Sequence, residues 1–333
     1  MAAWHPESLA ARLPFLRRRA LLTQATRAFF AARGYTEVET PYAVAAPGEE
    51  VYLRAFATVR EHPDGAREPL WLHTSPEFAM KRLLVAGSGP VFQLARVWRN
   101  GEGSALHAPE FTMLEWYRPG CDMAGLMAET EALLRAVLPP VVACRGVRTD
   151  LAEFERLSVA EAFHRHVGAD VLATEGDAAA LAAQAGARLR DGETWEDLFF
   201  RLLLERVEPH LGRAHPTYLT HWPASQAALA RRDPADARVA ERFELFVCGI
   251  ELANAFVELT DAAEQRARFE ADRTRREAEH GPEWPLDEDF LAALAYGMPE
   301  AAGSALGFDR LAMIASGADR IGQVLWLPPV DLA

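Results

Sequence analysis

Hydrophobic periodicity divides this chain into alternating helix-like and strand-like stretches. From Phe15 to Arg33, the positions Leu16, Ala20, Thr23, Ala28 and the Phe29–Phe30 pair fall near helical spacing, and Gly34 follows as a C-cap. Tyr35 to Thr40 is a short strand stopped by Pro41, and Leu70 to His73 is another. Thr74-Ser75-Pro76-Glu77 then opens a helix that runs through Lys81 to Val85. Val91 to Arg99 is rich in β-branched, aromatic and aliphatic residues, and Phe111 to Tyr117 alternates strictly. Between them Gly101, Gly103, Ser104 and Pro109 break regular structure, so the whole reads as strand, loop, strand. Helices are expected at Asp122–Leu138, Leu157–Val167, Asp177–Leu189 and Thr194–Val207, followed by a strand at Thr217–Trp222. Phe243–Val247 and Ile250–Leu259 form a hairpin turning at Cys248-Gly249. Two more helices, Asp261–Glu279 and Asp287–Tyr296, flank a loop at 281–285. A strand then enters a helix at Gly303–Leu311, and Ile321 to Leu327 is expected as a last strand.

Some polar positions do not suit a plain core. Phe111, Met113, Glu115 and Tyr117 share one strand face, and burying Glu115 without a partner is costly. With Arg99 at the loop entrance, that face fits either a zwitterionic or phosphorylated ligand or an internal Arg–Glu pair. Glu77 either favours the dipole of its helix or contacts a ligand at the helix start. Glu244 and Glu251 lie on opposite arms of their hairpin and can face each other, which suits Mg²⁺ carrying ATP phosphates. The apolar neighbours Ile250, Leu252, Ala253 and Phe256 argue against a solvated sheet edge there. Asn254 and Glu258 share a face, whereas alternation puts Glu251 on the other, so a common site requires a bulge or twist.

Four segments carry a family resemblance: Thr74-Ser-Pro-Glu-Phe-Ala-Met-Lys-Arg-Leu, Arg96 to Arg118, Gly249-Ile-Glu-Leu-Ala-Asn-Ala-Phe-Val-Glu-Leu-Thr-Asp, and Gly303-Ser-Ala-Leu-Gly-Phe-Asp-Arg-Leu. In that order they resemble the class II aminoacyl-tRNA synthetases of the lysyl subclass. The resemblance implies an α+β catalytic domain over residues 1–333, a mixed, mostly antiparallel sheet flanked by helices, with a helical insertion at about 122–210. It implies ATP as substrate with Mg²⁺ on Glu244 and Glu251, and activation of (R)-β-lysine or lysine to an adenylate. Arg99 and Arg310 would be the catalytic cations. Asn100, Gly101, His107, Phe111, Glu251, Leu252 and Gly307 would join them around ATP. Ser75, Pro76, Glu77, Glu115, Tyr117, Asn254 and Glu258 would hold the amino acid. Four carboxylates gathered there, Glu77, Glu115, Glu251 and Glu258, would repel each other, and Mg²⁺ together with a diamino acid would offset that. Two positions depart from the family pattern: its glutamate after Arg-Asn is Gly101 here, with Glu102 one place later, and its asparagine before Pro-Glu-Phe is Ala108.

Charge and composition narrow the partners. The net charge of −13, with 48 acidic and 35 basic residues, disfavours an extended phosphate backbone, so extended tRNA binding is not expected. The helix at Phe15–Arg33, the strand at Tyr35–Thr40 and Pro41 resemble the family's first motif, and since it begins almost at the N-terminus no anticodon-binding domain is expected ahead of it. The resemblance then implies a protein acceptor, a lysine side chain of elongation factor P, and a homodimer formed through the first helix. The rival readings are a truncated lysyl-tRNA synthetase or amino-acid ligase with another acceptor, and a catalytically silent amino-acid-binding paralogue. Cys121, Cys144 and Cys248 are far apart, with neither a disulfide framework nor a zinc spacing, and no apolar run is long enough for a membrane span; a cytoplasmic protein is expected.

Overall fold

The structure is a computed structural model that describes residues 3–281 and 284–329; Pro282 and Glu283 of the expected loop lie outside the described residues. Helix α1 (Pro6–Ala31) starts well before Phe15 and accommodates Pro14 within it. Its buried face ends in Phe30, which stacks on Phe92 with ring centroids 4.7 Å apart and packs against Tyr35 and Trp116. This aromatic cluster anchors the helix to the main sheet.

The strand expected at Tyr35–Thr40 shrinks to β1 (Thr36–Glu37). A small sheet follows, made of β2 (Ala43–Val44), β3 (Phe56–Glu61) and β4 (Arg67–Leu72), in the order β2-β4-β3. Next come α2 (Glu77–Val85), β5 (Val91–Trp98), β6 (Glu110–Pro119) and α3 (Met123–Val137). A two-residue hairpin, β7 (Val141–Cys144) and β8 (Val147–Asp150), turns on Arg145 and Gly146, both with positive φ. Then β9 (Glu155–Ser158), α4 (Val159–His166), α5 (Ala178–Ala185) and α6 (Trp195–Leu202) lead to β10 (Thr217–Pro223). The chain closes with β11 (Val239–Val247), β12 (Ile250–Val257), α7 (Ala262–His280), α8 (Glu288–Gly297), β13 (Ala301–Gly307) and α9 (Phe308–Ser316).

The main sheet has eight strands in the order β1-β5-β6-β13-β12-β11-β10-β9. The outermost pairs, β1 with β5 and β9 with β10, are parallel, and the inner pairings are antiparallel. The expected fold, a mixed and mostly antiparallel sheet flanked by helices, is the one observed. One face of the sheet carries α1, α3 and α9 over a continuous apolar core.

Two expectations change and a third is met. The insertion at 122–210 is not purely helical: α3 packs Leu126, Leu133 and Leu134 into the main core, and β9 extends the main sheet. The segment with its own core begins near Leu157, where Phe163, Trp195, Phe199 and Leu202 pack against Trp222 and Phe246. Ile321 to Leu327 is not a strand. The sheet ends at β1 and β9, neither of which pairs with this segment, and Ile321–Gln323 forms a short 3-10 turn whose Ile321 and Val324 side chains pack into the core. Finally, the pairing of β11 with β12 slips after Leu245↔Ala253 to Phe246↔Glu251, leaving Leu252 as an extra residue. That is the bulge which the placement of Glu251 requires.

The sheet, α1 and α9 meet at one carboxylate. Asp309, 1 % exposed, pairs through Oδ1 with Arg19 of α1, and its Oδ2 accepts from the Thr112 backbone N–H at 2.8 Å. Arg19 Nη2 also donates to Thr112 Oγ1 at 2.9 Å. Removing one member of a buried pair strands the other charge, at a cost of about 3–5 kcal/mol. Asp309→Ala is therefore expected to lose stability of that order in urea denaturation; a loss below about 1 kcal/mol would show that the pair does not hold these elements together.

Candidate active site

A cavity of about 410 Å³ opens on the sheet face opposite α1, between the β5–β6 hairpin, β12, β13 and the start of α9. Glu251, Leu252, Asn254 and Phe256 all line it, which strict alternation along a strand does not permit and the bulge does.

One end of the cavity is cationic. Arg99 stands 5.2 Å over the Phe111 ring, and its Nε is buried without a hydrogen-bond partner among the described residues. A guanidinium held on an aromatic face with an unused donor is an anion receptor. Arg310, in the first turn of α9, donates to the Glu251 backbone carbonyl at 2.7 Å and lies 3.4 Å from its carboxylate. Arg310 also meets His107 Nε2 at 2.6 Å. A guanidinium only donates, so the ring accepts at Nε2 and keeps its proton on Nδ1, toward Ser104 Oγ at 2.8 Å. Burial, then the charges of Arg310 and Arg99, push the His107 pKa down to about 4, so the ring is neutral at pH 7. Gly101 has φ +85°, a conformation that glycine adopts freely and glutamate does not. Glu102 takes up the acidic role next to it, 3.7 Å from Arg99 and on the cavity wall. The Asn100 N–H is spent on the Arg54 carbonyl at 2.7 Å. Ala108 is fully buried on the wall. Gly307 caps α9, and a Cβ there would only touch the Arg310 side chain at 3.4–3.7 Å.

Glu244 and Glu251 lie beside this end. Glu244 is paired with Arg242 at 2.7 Å, and burial, then Glu251, push its pKa up to about 8. A third carboxylate, Glu208, reaches the same place from the turn after α6; burial, then Glu251, raise it to about 7. Sequence spacing gives no signal for Glu208, because only the packing of the inserted segment brings it there.

The other end is acidic and lies mostly behind the wall. Glu77 lines the cavity, while Glu115 and Glu258 are 0 % and 1 % exposed. Glu115 accepts from Ser75 Oγ at 2.6 Å and from the Tyr117 hydroxyl at 2.8 Å, so it fixes both lining side chains. Pro76 is the N-cap residue of α2, with no side-chain cap. Asn254 Oδ1 accepts from Arg242 Nε at 3.1 Å. The carboxylates Glu77, Glu115 and Glu258 do converge, but a protein cation already stands among them. Lys81 Nζ lies 2.5 Å from Glu77 Oε1 and 2.5 Å from Glu258 Oε2. Lys81 therefore offsets part of the repulsion expected to be met by Mg²⁺ and a diamino acid, and Glu251, the fourth carboxylate expected here, lies at the cationic end against Arg310 instead. The signal for Lys81 was present in the sequence as an i, i+4 Glu–Lys pair on a helix. Gly303 is equally constrained: a Cβ there would stand 2.3 Å from the Tyr117 ring and 2.7 Å from Glu258.

Residues 11–331 match the family model of tRNA synthetases class II (D, K and N). The chain is 46% identical over 329 residues to the elongation factor P–(R)-β-lysine ligase of Edwardsiella ictaluri, covering 98% of this chain and 97% of the relative. It is 47% identical over 331 residues to the enzyme of the same name from Sodalis glossinidius, and 46% over 330 to that from Klebsiella pneumoniae, each covering 97% of both chains.

Burial, reinforced by Glu77, pushes Glu115 up to about 8. The folded protein therefore holds this proton up to about pH 8, whereas an unfolded glutamate releases it near pH 4.5. Stability from this group is present below about pH 4.5 and is lost as pH rises toward 8. Glu115→Gln is expected to flatten that decline, so that urea midpoints of the two proteins diverge between pH 5 and 8.5; parallel profiles would refute the assignment.

Proposed function

We infer the function from one premise: the chain belongs to the class II tRNA synthetases of the D, K and N group. It is an ATP-dependent ligase of that kind, and its reaction joins (R)-β-lysine, or lysine, to a lysine side chain of elongation factor P. The observation that carries this reading is the polarity of the cavity of about 410 Å³. Arg99 and Arg310 hold anions at one end, and Glu77 with its buried carboxylate partners suits amino groups at the other.

In this reading, the amino-acid carboxylate and the α-phosphate meet at Arg99. A carboxylate oxygen attacks the α-phosphorus, the bond to the pyrophosphate oxygen breaks, and the acyl-adenylate forms. Arg99 neutralises charge that builds on the phosphoryl oxygens, while Arg310 holds the far phosphates with its guanidinium fixed by the Glu251 carbonyl and His107. Neutral His107 suits this place, because an imidazolium would repel Arg310. Phe111, under Arg99, offers a ring face for adenine, beside Leu252 and Gly307. Ser75, Tyr117, Asn254 and Glu77 orient the amino acid. In the second step the acceptor amine attacks the acyl carbon, AMP leaves and the amine loses a proton.

Mg²⁺ fits Glu244 and Glu251: with Glu208 they make three neighbouring carboxylates facing two cations, Arg242 and Arg310, and burial, then Glu251, raises the Glu244 pKa to about 8. When bound there it would supply charge to bridge the phosphates. We propose further that the protein is a cytoplasmic homodimer associating through α1, whose Leu21 is 58% exposed, and that it charges a protein rather than tRNA, consistent with a net charge of −13.

Arg99→Ala should keep its fold by circular dichroism and lose pyrophosphate exchange by about 10²–10³-fold or more; near-normal exchange would remove Arg99 from the chemistry. Incubation with ATP and (R)-β-lysine should add one aminoacyl mass to elongation factor P and none to bulk tRNA. Charging of tRNA would replace the acceptor, and absence of exchange with either amino acid would favour a silent paralogue.

A further inference from the structure

The segment between β2 and β3 puts Glu50, Val51, Tyr52 and Leu53 on the cavity wall. The residues just before them are pinned. Thr74 Oγ1 donates to the Pro47 carbonyl at 3.1 Å, Trp284 Nε1 donates to the Gly48 carbonyl at 2.7 Å, and Glu49 pairs with the buried Arg276 at 2.8 Å. Glu50 differs from Glu49. It is exposed and lines the cavity, and among the described residues its carboxylate accepts only from its own backbone N–H. The carboxylate lies over Gly48, where a Cβ would stand 2.6 Å from Oε2, so glycine makes room for it. The charges that bear on it are those of Glu77, Asp272 and Glu49, and of Arg99 opposing them. Two residues on, Tyr52 is 55 % exposed, so the segment runs from the cavity to the surface from which a protein side chain would arrive.

We propose that Glu50 is a catalytic residue of the second step, the general base that takes a proton from the incoming acceptor ammonium. A lysine side chain reaches the cavity as an ammonium, which has no lone pair to attack with. One proton passes to the Glu50 carboxylate, and the freed amine attacks the acyl carbon. The C–N bond forms, the bond from the acyl carbon to the phosphate oxygen breaks with its electron pair going to AMP, and the second proton on nitrogen leaves to water. In the reading above the acyl carbon forms at Arg99, whose charge Glu50 feels, and the pinned backbone holds the base there before the acceptor arrives. A carboxylate enclosed without a cation of its own is costly to keep. Burial, then the charge of Glu77, raises its pKa, which makes it a better proton acceptor than an ordinary glutamate.

The inference rests on the proposed ligase reaction, and pyrophosphate exchange and transfer to elongation factor P by the unaltered full chain test that reading separately. Failure of either there would remove the reading and this inference with it. Given both, the adenylate formed from ATP and (R)-β-lysine is offered elongation factor P or hydroxylamine, which is uncharged at pH 7 and needs no base before it attacks. Glu50→Gln should slow transfer to the protein about 10²-fold or more relative to trapping by hydroxylamine. In the native chain, transfer should fall on acidification as Glu50 takes up a proton. In Glu50→Gln it should instead climb with pH toward the ordinary lysine range, near about 10.4. Glu50→Ala should regain transfer at least about 10-fold when formate is added as a replacement base. A carboxylate that only bound the amino acid would raise its KM in exchange and slow both acceptors together. Equal losses to the two acceptors, or an unchanged pH profile without a response to formate, would overturn the proposal. The native chain decides even without a variant: parallel acid limbs for the two acceptors, after correction for hydroxylamine's own protonation, would overturn it as well.

Discussion

A carboxylate taken out of water must find a cation or give up its charge, and this constraint organises the protein around its cavity. Asp309 meets it with Arg19, and in doing so ties α1 to β6 and to the first turn of α9. Arg310, the next residue, inherits its position from that tie. Glu77 and Glu258 share Lys81, and burial still raises the Glu258 pKa to about 8. Glu244 meets it through Arg242, which also holds Asn254, so a single guanidinium links the carboxylate pair at the anion end to the amide at the amino-group end. Glu49 pairs with Arg276, fully buried on α7, yet burial still raises its pKa to about 7.

Where the cation supply falls short, the site is prepared for ligands. Among the described residues Glu115 has two hydroxyl groups as hydrogen-bond donors, and Glu244, though paired with Arg242, has Glu251 and Glu208 for neighbours; burial first, then Glu77 and Glu251 respectively, hold their protons well above the ordinary carboxylate range. On the opposite side of the balance, Arg99 keeps one buried donor unused among the described residues. The protein thus gathers carboxyl groups at one end of the cavity and an unspent donor at the other. An amino acid carries the complementary polarity, ammonium groups toward Glu77 and carboxylate toward Arg99, and a nucleotide adds anionic groups at Arg310. Such preorganisation is what electrostatic catalysis requires, since the groups need not move when charge develops.

The backbone devices serve the same end. The bulge at Leu252 turns Glu251 to the cavity side without disturbing Asn254 and Phe256 beyond it. Gly101 takes a left-handed conformation at the tip of the β5–β6 loop and leaves the acidic role to Glu102. Ile321, from the far end of the chain, donates its N–H to the Ala105 carbonyl at 2.8 Å and so steadies that loop.

Alternation and periodicity alone marked the β5–β6 and β11–β12 hairpins, the strand entering α9, and the face shared by Phe111, Met113, Glu115 and Tyr117, because these are local patterns that burial of one face imposes. The need for a bulge near Glu251 was also legible, since parity is a property of the chain. The turn at Arg145-Gly146 and the strand before Asp64-Gly65 carried local signals that the reading passed over. Tertiary structure alone decided the rest. Ile321 to Leu327 looks like a strand, but its apolar side chains Ile321, Val324 and Leu325 pack into the core beside α1 and α9 instead of joining the sheet. Glu208 joins Glu251 only because the inserted segment packs against the sheet. Lys81 stands one helical turn from Glu77 in the sequence, yet Glu258 reaches it from a strand end far along the chain. Local spacing fixes which way a side chain leaves its element; which charges meet in a dry interior depends on contacts between distant segments, and those determine which carboxylates stay ionised.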